Sequence, residues 1–345
     1  MSAPLVEELV PVPDPVECCA KFRGLPYLLF LDSARDPDRL GRYSFLAADP
    51  QIVIHGKGNR VARTDVAARR TTTLATHALA AVRDALAPHR ANAIDGLPPF
   101  QGGAAGYLAY DWGAVLERLP SPRYDDFDIP DAVFPIYDWV IAWDHRERRA
   151  WVISTGIPET GAGKSQYSRD RLRFVLERLQ GDYLSTEISP SPPAREHGNA
   201  APSYSVTDAE LPPGLELRSS FTHRGYLDAL TRVREYIIAG DIFQANLSQR
   251  FEAPLAGSPW ALYRRLRDIN PAPFAAYLDF GDVTIASASP ERFLRLDAER
   301  QVEARPIKGT RPRGVYPAHD AALGRALQES AKDRAENLMI VDLMR

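Results

Sequence analysis

The run Trp139-Val140-Ile141-Ala142-Trp143, the polar turn Asp144-His145-Arg146-Glu147 and the second run Arg149-Ala150-Trp151-Val152-Ile153 constrain the fold of this chain more than any other stretch. Short runs dense in β-branched and aromatic side chains suit strands, and a polar turn between two of them makes a hairpin. A hairpin is necessarily antiparallel. The pattern recurs. Tyr27-Leu28-Leu29-Phe30-Leu31 ends in the turn pair Asp32-Ser33, and Gln51-Ile52-Val53-Ile54 is a further strand. Ala276 to Phe280 turns through Gly281-Asp282 into Val283 to Ala288, and Phe293 to Leu296 turns through Asp297 to Arg300 into Val302 to Arg305.

Helices stand between these strands. Thr73 to Leu86 carries Leu74, Leu79, Val82 and Leu86 at helical spacing, and another helix is expected near Ser168 to Leu179. Thr222 caps a third, in which Tyr226, Leu230, Val233 and Ile237 keep the helical period until Gly240 ends it. Ile242 to Phe251 then predicts a strand, with Gln244, Asn246, Ser248 and Arg250 on one face and Phe243, Ala245, Leu247 and Phe251 on the other. A fully polar face of this kind is ordinarily wet and bears on function only where it lines a cavity. The final helix opens with the capping pair Ser330 and Asp333, carries Leu338, Ile340, Val341 and Leu343, and runs into Arg345.

These elements form two segments, 1–155 and 221–345, joined by a linker, 156–220, rich in Gly, Pro, Ser and Glu. Gly161-Ala162-Gly163-Lys164-Ser165 within it is not a phosphate loop, because Pro158 occupies the position where that motif requires Gly. The formal net charge of -3 gives no bulk attraction to nucleic acid or an anionic membrane. No apolar run approaches the roughly 18 residues of a membrane span, and the amino terminus lacks the basic-then-apolar order of a signal sequence. The adjacent cysteines Cys18 and Cys19 cannot make a disulfide framework. A cytoplasmic location is the expectation.

Lysine occurs at only five of the 42 basic positions: Lys21, Lys57, Lys164, Lys308 and Lys332. A lysine kept inside Arg305-Pro306-Ile307-Lys308-Gly309-Thr310-Arg311 points to chemistry that guanidinium cannot perform, since an amine that sheds its proton is a nucleophile. A surface lysine left by drift is the competing reading.

Four ordered runs bear on that choice. They are Gly240-Asp241-Ile242-Phe243-Gln244-Ala245-Asn246-Leu247-Ser248, Ser289-Pro290-Glu291-Arg292-Phe293, Pro306-Ile307-Lys308-Gly309-Thr310 and Glu336-Asn337-Leu338-Met339-Ile340-Val341-Asp342-Leu343. Together they closely resemble the chorismate-utilising enzymes. Leu31-Asp32-Ser33, Gly41-Arg42-Tyr43-Ser44-Phe45 and Gly103-Ala104-Ala105-Gly106-Tyr107 resemble the amino-terminal segment of anthranilate synthase and aminodeoxychorismate synthase large subunits. The resemblance covers most of the chain and matches the linker poorly.

What the resemblance implies is specific. The fold is of the α/β class (α+β type), with antiparallel sheets packed as a sandwich and helices outside. Position 308 separates the branches: anthranilate synthases usually carry Ala there and aminodeoxychorismate synthases Lys. Enzymes that make isochorismate carry a water-activating Lys at the position of Gln244, where an amide cannot be a base. The implied reaction joins ammonia from a glutamine amidotransferase subunit to chorismate, giving 4-amino-4-deoxychorismate for 4-aminobenzoate and folate. Lys308 is the implied nucleophile at C2 and Glu291 the acid that protonates the departing C4 hydroxyl. Gln244, Gly309 and Thr310 are implied to bind substrate and Glu336 to bind Mg²⁺. Arg305, Arg311 and Arg313 act as like charges on Lys308, attract the dicarboxylate substrate, or are solvated. A tryptophan pocket is implied from Ser33, Arg42, Tyr43, Ser44, Phe45, Pro273, Phe274 and Ala275, with plain core packing as the alternative. Asp32 stands where anthranilate synthases usually have Glu. The resemblance also implies further magnesium glutamates and part of the substrate pocket beyond Arg345. On that reading the chain is truncated, its fold incomplete at the carboxyl end, and it is inactive alone. The rival functions are anthranilate synthase and a catalytically dead tryptophan-binding or subunit-binding protein.

Overall fold

A computed structural model of the chain describes residues 3–36, 38–120, 122–181, 201–206, 212 and 214–344. Residues 182–200 of the expected linker lie outside the described residues. Every strand pairing among the described residues is antiparallel. The larger sheet has seven strands in the order Leu5–Glu8, Arg149–Ser154, Trp139–Asp144, Tyr43–Ala47, Leu28–Asp32, Phe274–Asp279, Thr284–Ser289. Strands from both sequence segments therefore share one sheet, with Tyr277 opposite Phe30 and Ala275 opposite Asp32.

Both faces of this sheet are buried, which is why its strands read as continuous apolar runs rather than alternating ones. Leu28, Phe30, Trp139, Ile141 and Trp143 point to one face. There they meet Phe22 of α1 (Pro15–Phe22), Val175 of α3 (Gly163–Gln180), and Trp260 and Tyr263 of α5 (Pro259–Ile269). Leu29, Val140 and Ala142 point the other way, onto Tyr137, Phe100 and Tyr107. Full burial of a side chain of this size contributes roughly 1.5–3 kcal/mol. The second sheet runs Arg70–Leu74, Arg60–Asp65, Ile52–Lys57, Ala132–Tyr137, Gly103–Ala104, and α2 (Ala78–Leu86) covers Ile52, Ile54 and Ile136.

Polar contacts fix the helices. Ser168 of α3 donates to the Ser154 carbonyl at 2.8 Å. Arg171 reaches Asp138 at 2.6 Å and Asp49 at 2.8 Å. Burial outweighs the attraction of Arg171 and pushes the Asp138 carboxyl up to about 6. On α5, Tyr263 donates to Asp32 at 2.9 Å and Arg267 at 2.5 Å, so the departure at position 32 is a buried carboxylate tied to the second segment.

Two expectations change. Thr73 to Leu86 is not one helix: Arg70–Leu74 is a strand, where β-branched threonines pair across to Arg60–Asp65, and α2 begins only after its cap, His77. Leu79 consequently points outward, and Ala78, Ala80, Ala81 and Ala85 form the buried stripe. Ile242 to Phe251 is not a strand either. A strand needs a neighbour to take its backbone groups, and among the described residues only Phe251–Glu252 finds one, in Arg218–Ser219. The helix capped by Thr222 forms as expected, as α4 (His223–Ala239), with Gly240 left-handed at φ 83°. So does the last helix, α7 (Ala331–Met344), beside α6 (Pro317–Glu329). None of these three helices fully buries a residue, and Ile238 and Leu338 are 81% and 69% exposed. No helix among the described residues is long and apolar enough to cross a membrane.

Candidate functional site

The short hairpin Arg295–Leu296 and Val302–Glu303 feeds the loop that carries Lys308. That loop is clamped on α6 and α7. Arg311 pairs with Asp333 at 2.9 Å and Arg313 with Asp320 at 2.7 Å, while Arg305 takes Glu303 at 2.7 Å. The cap hydroxyl of Ser330 and then Arg311 hold the Asp333 carboxyl below its usual range. Each of the three arginines flanking Lys308 thus has an acidic partner, Arg305 sharing Glu303 with Arg292. Gly309 is left-handed, at φ +78°, and a Cβ there would stand 2.7 Å from Leu327 Cδ1 and 2.9 Å from Asp333 Cγ. Only glycine fits a backbone pressed this close to two helices.

This clamp brings Lys308 and Glu336 together, Nζ to Oε1 at 2.6 Å, both side chains half-buried. Residues 28 positions apart that the sequence singled out for separate reasons meet at one point. Gln244 is half-buried beside exposed Phe243, and its Oε1, like Asn337 Oδ1 on α7, is enclosed without a hydrogen-bond partner among the described residues. Thr310 is exposed and offers its carbonyl to Arg311 at 2.8 Å. Glu291 is exposed just past Thr284–Ser289, its N–H donating to Ser289 Oγ at 3.3 Å. Among the described residues no hydrogen bond or ion pair joins Glu291 to Lys308 or Glu336. No three His, Cys, Asp or Glu side chains converge among those residues either. One carboxylate already in contact with an ammonium does not by itself fit a resident Mg²⁺.

A second site lies across the larger sheet. Ser33, Tyr43, Phe45, Pro273, Phe274 and Ala275 line one cavity of about 270 Å³, together with Leu31, Asp32 and Arg292. Six of the eight residues expected of the tryptophan pocket are therefore assembled. Arg42 and Ser44 are not in its wall. Arg42 points away to Asp144, at 2.7 Å, with its guanidinium over the Tyr43 ring. Ser44 is buried behind the wall, where its Oγ accepts from Ser33 N–H at 3.0 Å and lies 2.7 Å from His145 Nε2. Burial holds the His145 imidazole below the usual histidine range. The Ser33 hydroxyl donates to the Tyr43 carbonyl at 2.6 Å, with the Pro273 carbonyl at 3.1 Å.

Arg292 follows Glu291 in the run Ser289 to Phe293, which by itself assigns it no role. It pairs with Glu303, and its guanidinium lies 5.5 Å from the centre of the Phe274 ring. The strand register explains this: Phe274 stands opposite Ser289, so the run that begins at Ser289 leaves the sheet beside the cavity. Asn337 was inside a quoted run with no role attached. Its enclosed oxygen is a property of packing that no spacing reveals.

A family model described as chorismate binding enzyme matches residues 32–345. Anthranilate synthase component 1 of Thermus thermophilus is 39% identical over 250 residues, 72% of this chain and 48% of that protein. Aminodeoxychorismate synthase of Streptomyces griseus is 35% identical over 332 residues, 94% of this chain and 42% of that protein. The crystal structure of anthranilate synthase component I from Streptococcus pneumoniae TIGR4 matches with a TM-score of 0.67 and 26% identity, over 88% of this chain and 60% of that one. The chain spans about half the length of these curated relatives.

Proposed function

Because the chain belongs to the chorismate-binding enzyme family, we propose that it is the large-subunit portion of an aminodeoxychorismate synthase, supplied with ammonia by a glutamine amidotransferase subunit in the cytoplasm. The observation that carries this reading is Lys308: an amine, clamped between α6 and α7 and in contact with Glu336. In the proposed reaction Lys308 Nζ, released from Glu336 and rid of its extra proton, bonds to C2 of chorismate. The C4 hydroxyl leaves as water with a proton from Glu291. Ammonia then bonds to C4, and the C2–N bond breaks to return the lysine amine. One hard displacement becomes two easier ones. Gln244, with its enclosed and unpartnered oxygen, and the Gly309-Thr310 backbone are the proposed substrate contacts. A magnesium role for Glu336 stands as a proposal that needs more ligands than the described residues bring to it.

Anthranilate synthesis is the second reading, favoured by the 39% identity to the Thermus thermophilus protein. A tryptophan-binding or subunit-binding protein without catalysis is the third, favoured by the assembled cavity and by the lack, among the described residues, of any bond from Glu291 to Lys308 or Glu336. One experiment separates them. The protein is incubated with chorismate, ammonium salt and Mg²⁺, and the product is identified by mass spectrometry. Aminodeoxychorismate is expected, and it should vanish in Lys308→Ala and equally in Lys308→Arg, which keeps the charge but not the nucleophile. Anthranilate as product, or full activity in Lys308→Arg, overturns the assignment.

A further inference from the structure

A separate cavity of about 290 Å³ lies between the short 3-10 turn Ala87–His89, the Gly102-Gly103 backbone and the first turn of α3, and it shares no residue with either site described above. Its polar wall divides in two. Gln101 and Thr155 are committed to the fold: the Gln101 amide accepts from Ile94 N–H at 2.9 Å and donates to the Ile94 carbonyl at 3.0 Å, and the Thr155 hydroxyl donates to the Asp138 carbonyl at 3.0 Å. His89, Arg90, Asn92 and Lys164 are not committed. Among the described residues none of these four side chains joins an ion pair or a hydrogen bond, and no Asp or Glu lines the cavity. Lys164 is half-buried, and the half-buried cations Lys57, Arg171, Arg250 and Arg311 elsewhere each hold a carboxylate. A partly desolvated charge without a partner is costly, so this one departs from the pattern of the chain. Gly156, left-handed at φ +75°, fixes its stem: a Cβ there would stand 2.8 Å from Lys164 Cγ.

His89 has the same bias. Its Nδ1 is enclosed and unpartnered, and burial, then the positive charges of Lys164 and Arg63, hold the imidazole below the usual histidine range with no carboxylate acting against them. An orphaned enclosed N–H is rarer than an orphaned acceptor, so the proton of the neutral ring belongs on Nε2, which is then a donor. Two cations and two neutral donors with no acid among them suit an anion that has several acceptor oxygens. We propose that this cavity binds a phosphate group, free or carried on a small metabolite, with Lys164 and Arg90 as its cations and His89 and Asn92 as its neutral donors. Leu86, Pro99 and Ile157 give the remaining wall an apolar surface, and the volume, at the lower edge of the roughly 300–1,000 Å³ usual for small-ligand pockets, admits a phosphate with a few carbons. The Gly161 to Ser165 run does not act here as a phosphate loop; its lysine meets side chains some 70 residues earlier in the chain. The site stands whichever product the protein makes from chorismate.

The test is isothermal titration calorimetry of the protein with inorganic phosphate, phenyl phosphate and acetate, at constant ionic strength and about pH 8, where phosphate is mostly a dianion. One saturable site is expected for phosphate and none for acetate; phenyl phosphate bound more tightly than phosphate identifies a carried group, and phosphate bound at least as tightly identifies the free ion. Lys164→Met, which keeps the packed stem, and Arg90→Gln should each weaken phosphate about 10- to 100-fold, the range of one charge-assisted contact. Arg60→Gln removes the same charge from an exposed position outside the wall and should stay within about twofold. Thermal unfolding shows that each variant is folded, and phosphate should raise the melting temperature of the wild type more than that of Lys164→Met. Failure of the wild type to saturate with either phosphate, acetate bound as tightly as phosphate, unchanged binding in folded Lys164→Met, or an equal loss in Arg60→Gln overturns the proposal.

Discussion

Replacing Arg171 by Met would leave the Asp138 carboxyl, 1% exposed, without its charged partner, and the cost should depend on pH in a defined way. Removing one member of a buried ion pair costs about 3–5 kcal/mol. The carboxylate can escape part of that cost by taking up a proton. In the wild type its folded-state pKa is already raised, to about 6 from an ordinary 3.8. The stability associated with that proton is therefore fully present below about pH 4 and is lost as pH rises to about 6. Without Arg171 the folded pKa rises further, so the loss continues through neutral pH at up to about 1.4 kcal/mol per unit. The expected gap between wild type and Arg171→Met is about 1–2 kcal/mol at pH 5.5, from lost packing and hydrogen bonds. It should widen to about 3–5 kcal/mol at pH 8.5. Urea unfolding at the two pH values measures it directly. Adding Asp138→Asn should recover most of the difference at pH 8.5. A gap of the same size at both pH values, or no recovery in the double variant, refutes the assignment of the cost to Asp138.

Gly309→Ala should cost about 1–3 kcal/mol from its positive φ and its approach to Leu327 and Asp333. It should also loosen Lys308 from Glu336, read as a lower melting temperature and faster acetylation of Lys308 in peptide maps. An unchanged melting temperature with unchanged labelling would show that the clamp is not tight. Cys18 and Cys19 should resist a thiol reagent at pH 8 while the chain is folded and both react in urea. Burial pushes the Cys18 thiol up to about 12 and that of Cys19 well above its ordinary value. A pKa of about 12 leaves roughly one thiol in 10,000 ionised at that pH. Rapid labelling of native protein would contradict the packing of α1.

Elements whose stabilising contacts are local were legible. The hairpin from Trp139 to Ile153, the capped helix from Thr222 to Gly240 and the hairpin around Gly281-Asp282 each carry their own turn or cap, and each forms. Where a neighbour decides, pattern misleads. Thr71 to Thr73 gives a strand because Arg60–Asp65 lies alongside, and Gln244 to Ser248 stays irregular because no strand among the described residues pairs with it. The candidate sites divide in the same way. Lys308 and Glu336 could be named from their runs, but not their contact. Six cavity residues could be named, yet the direction taken by Arg42 depends on Asp144, and the arrival of Arg292 depends on a strand register.

The pairing of Leu28–Asp32 with Phe274–Asp279 has a further consequence, for the order of synthesis. One side of Leu28–Asp32 is covered by Tyr43–Ala47, made about a dozen residues later, while the other side waits for a strand made some 240 residues later. At translation speeds of about 5–20 residues per second that interval is roughly 12–50 s. Throughout it an apolar strand shows an open edge, the feature most prone to recruit a strand from a neighbouring chain. The hairpin that supplies Phe274, Ala275 and Ala276 to the cavity wall is thus also the guard of the nascent amino-terminal half. Nascent chains crowded on one messenger meet with that guard not yet made.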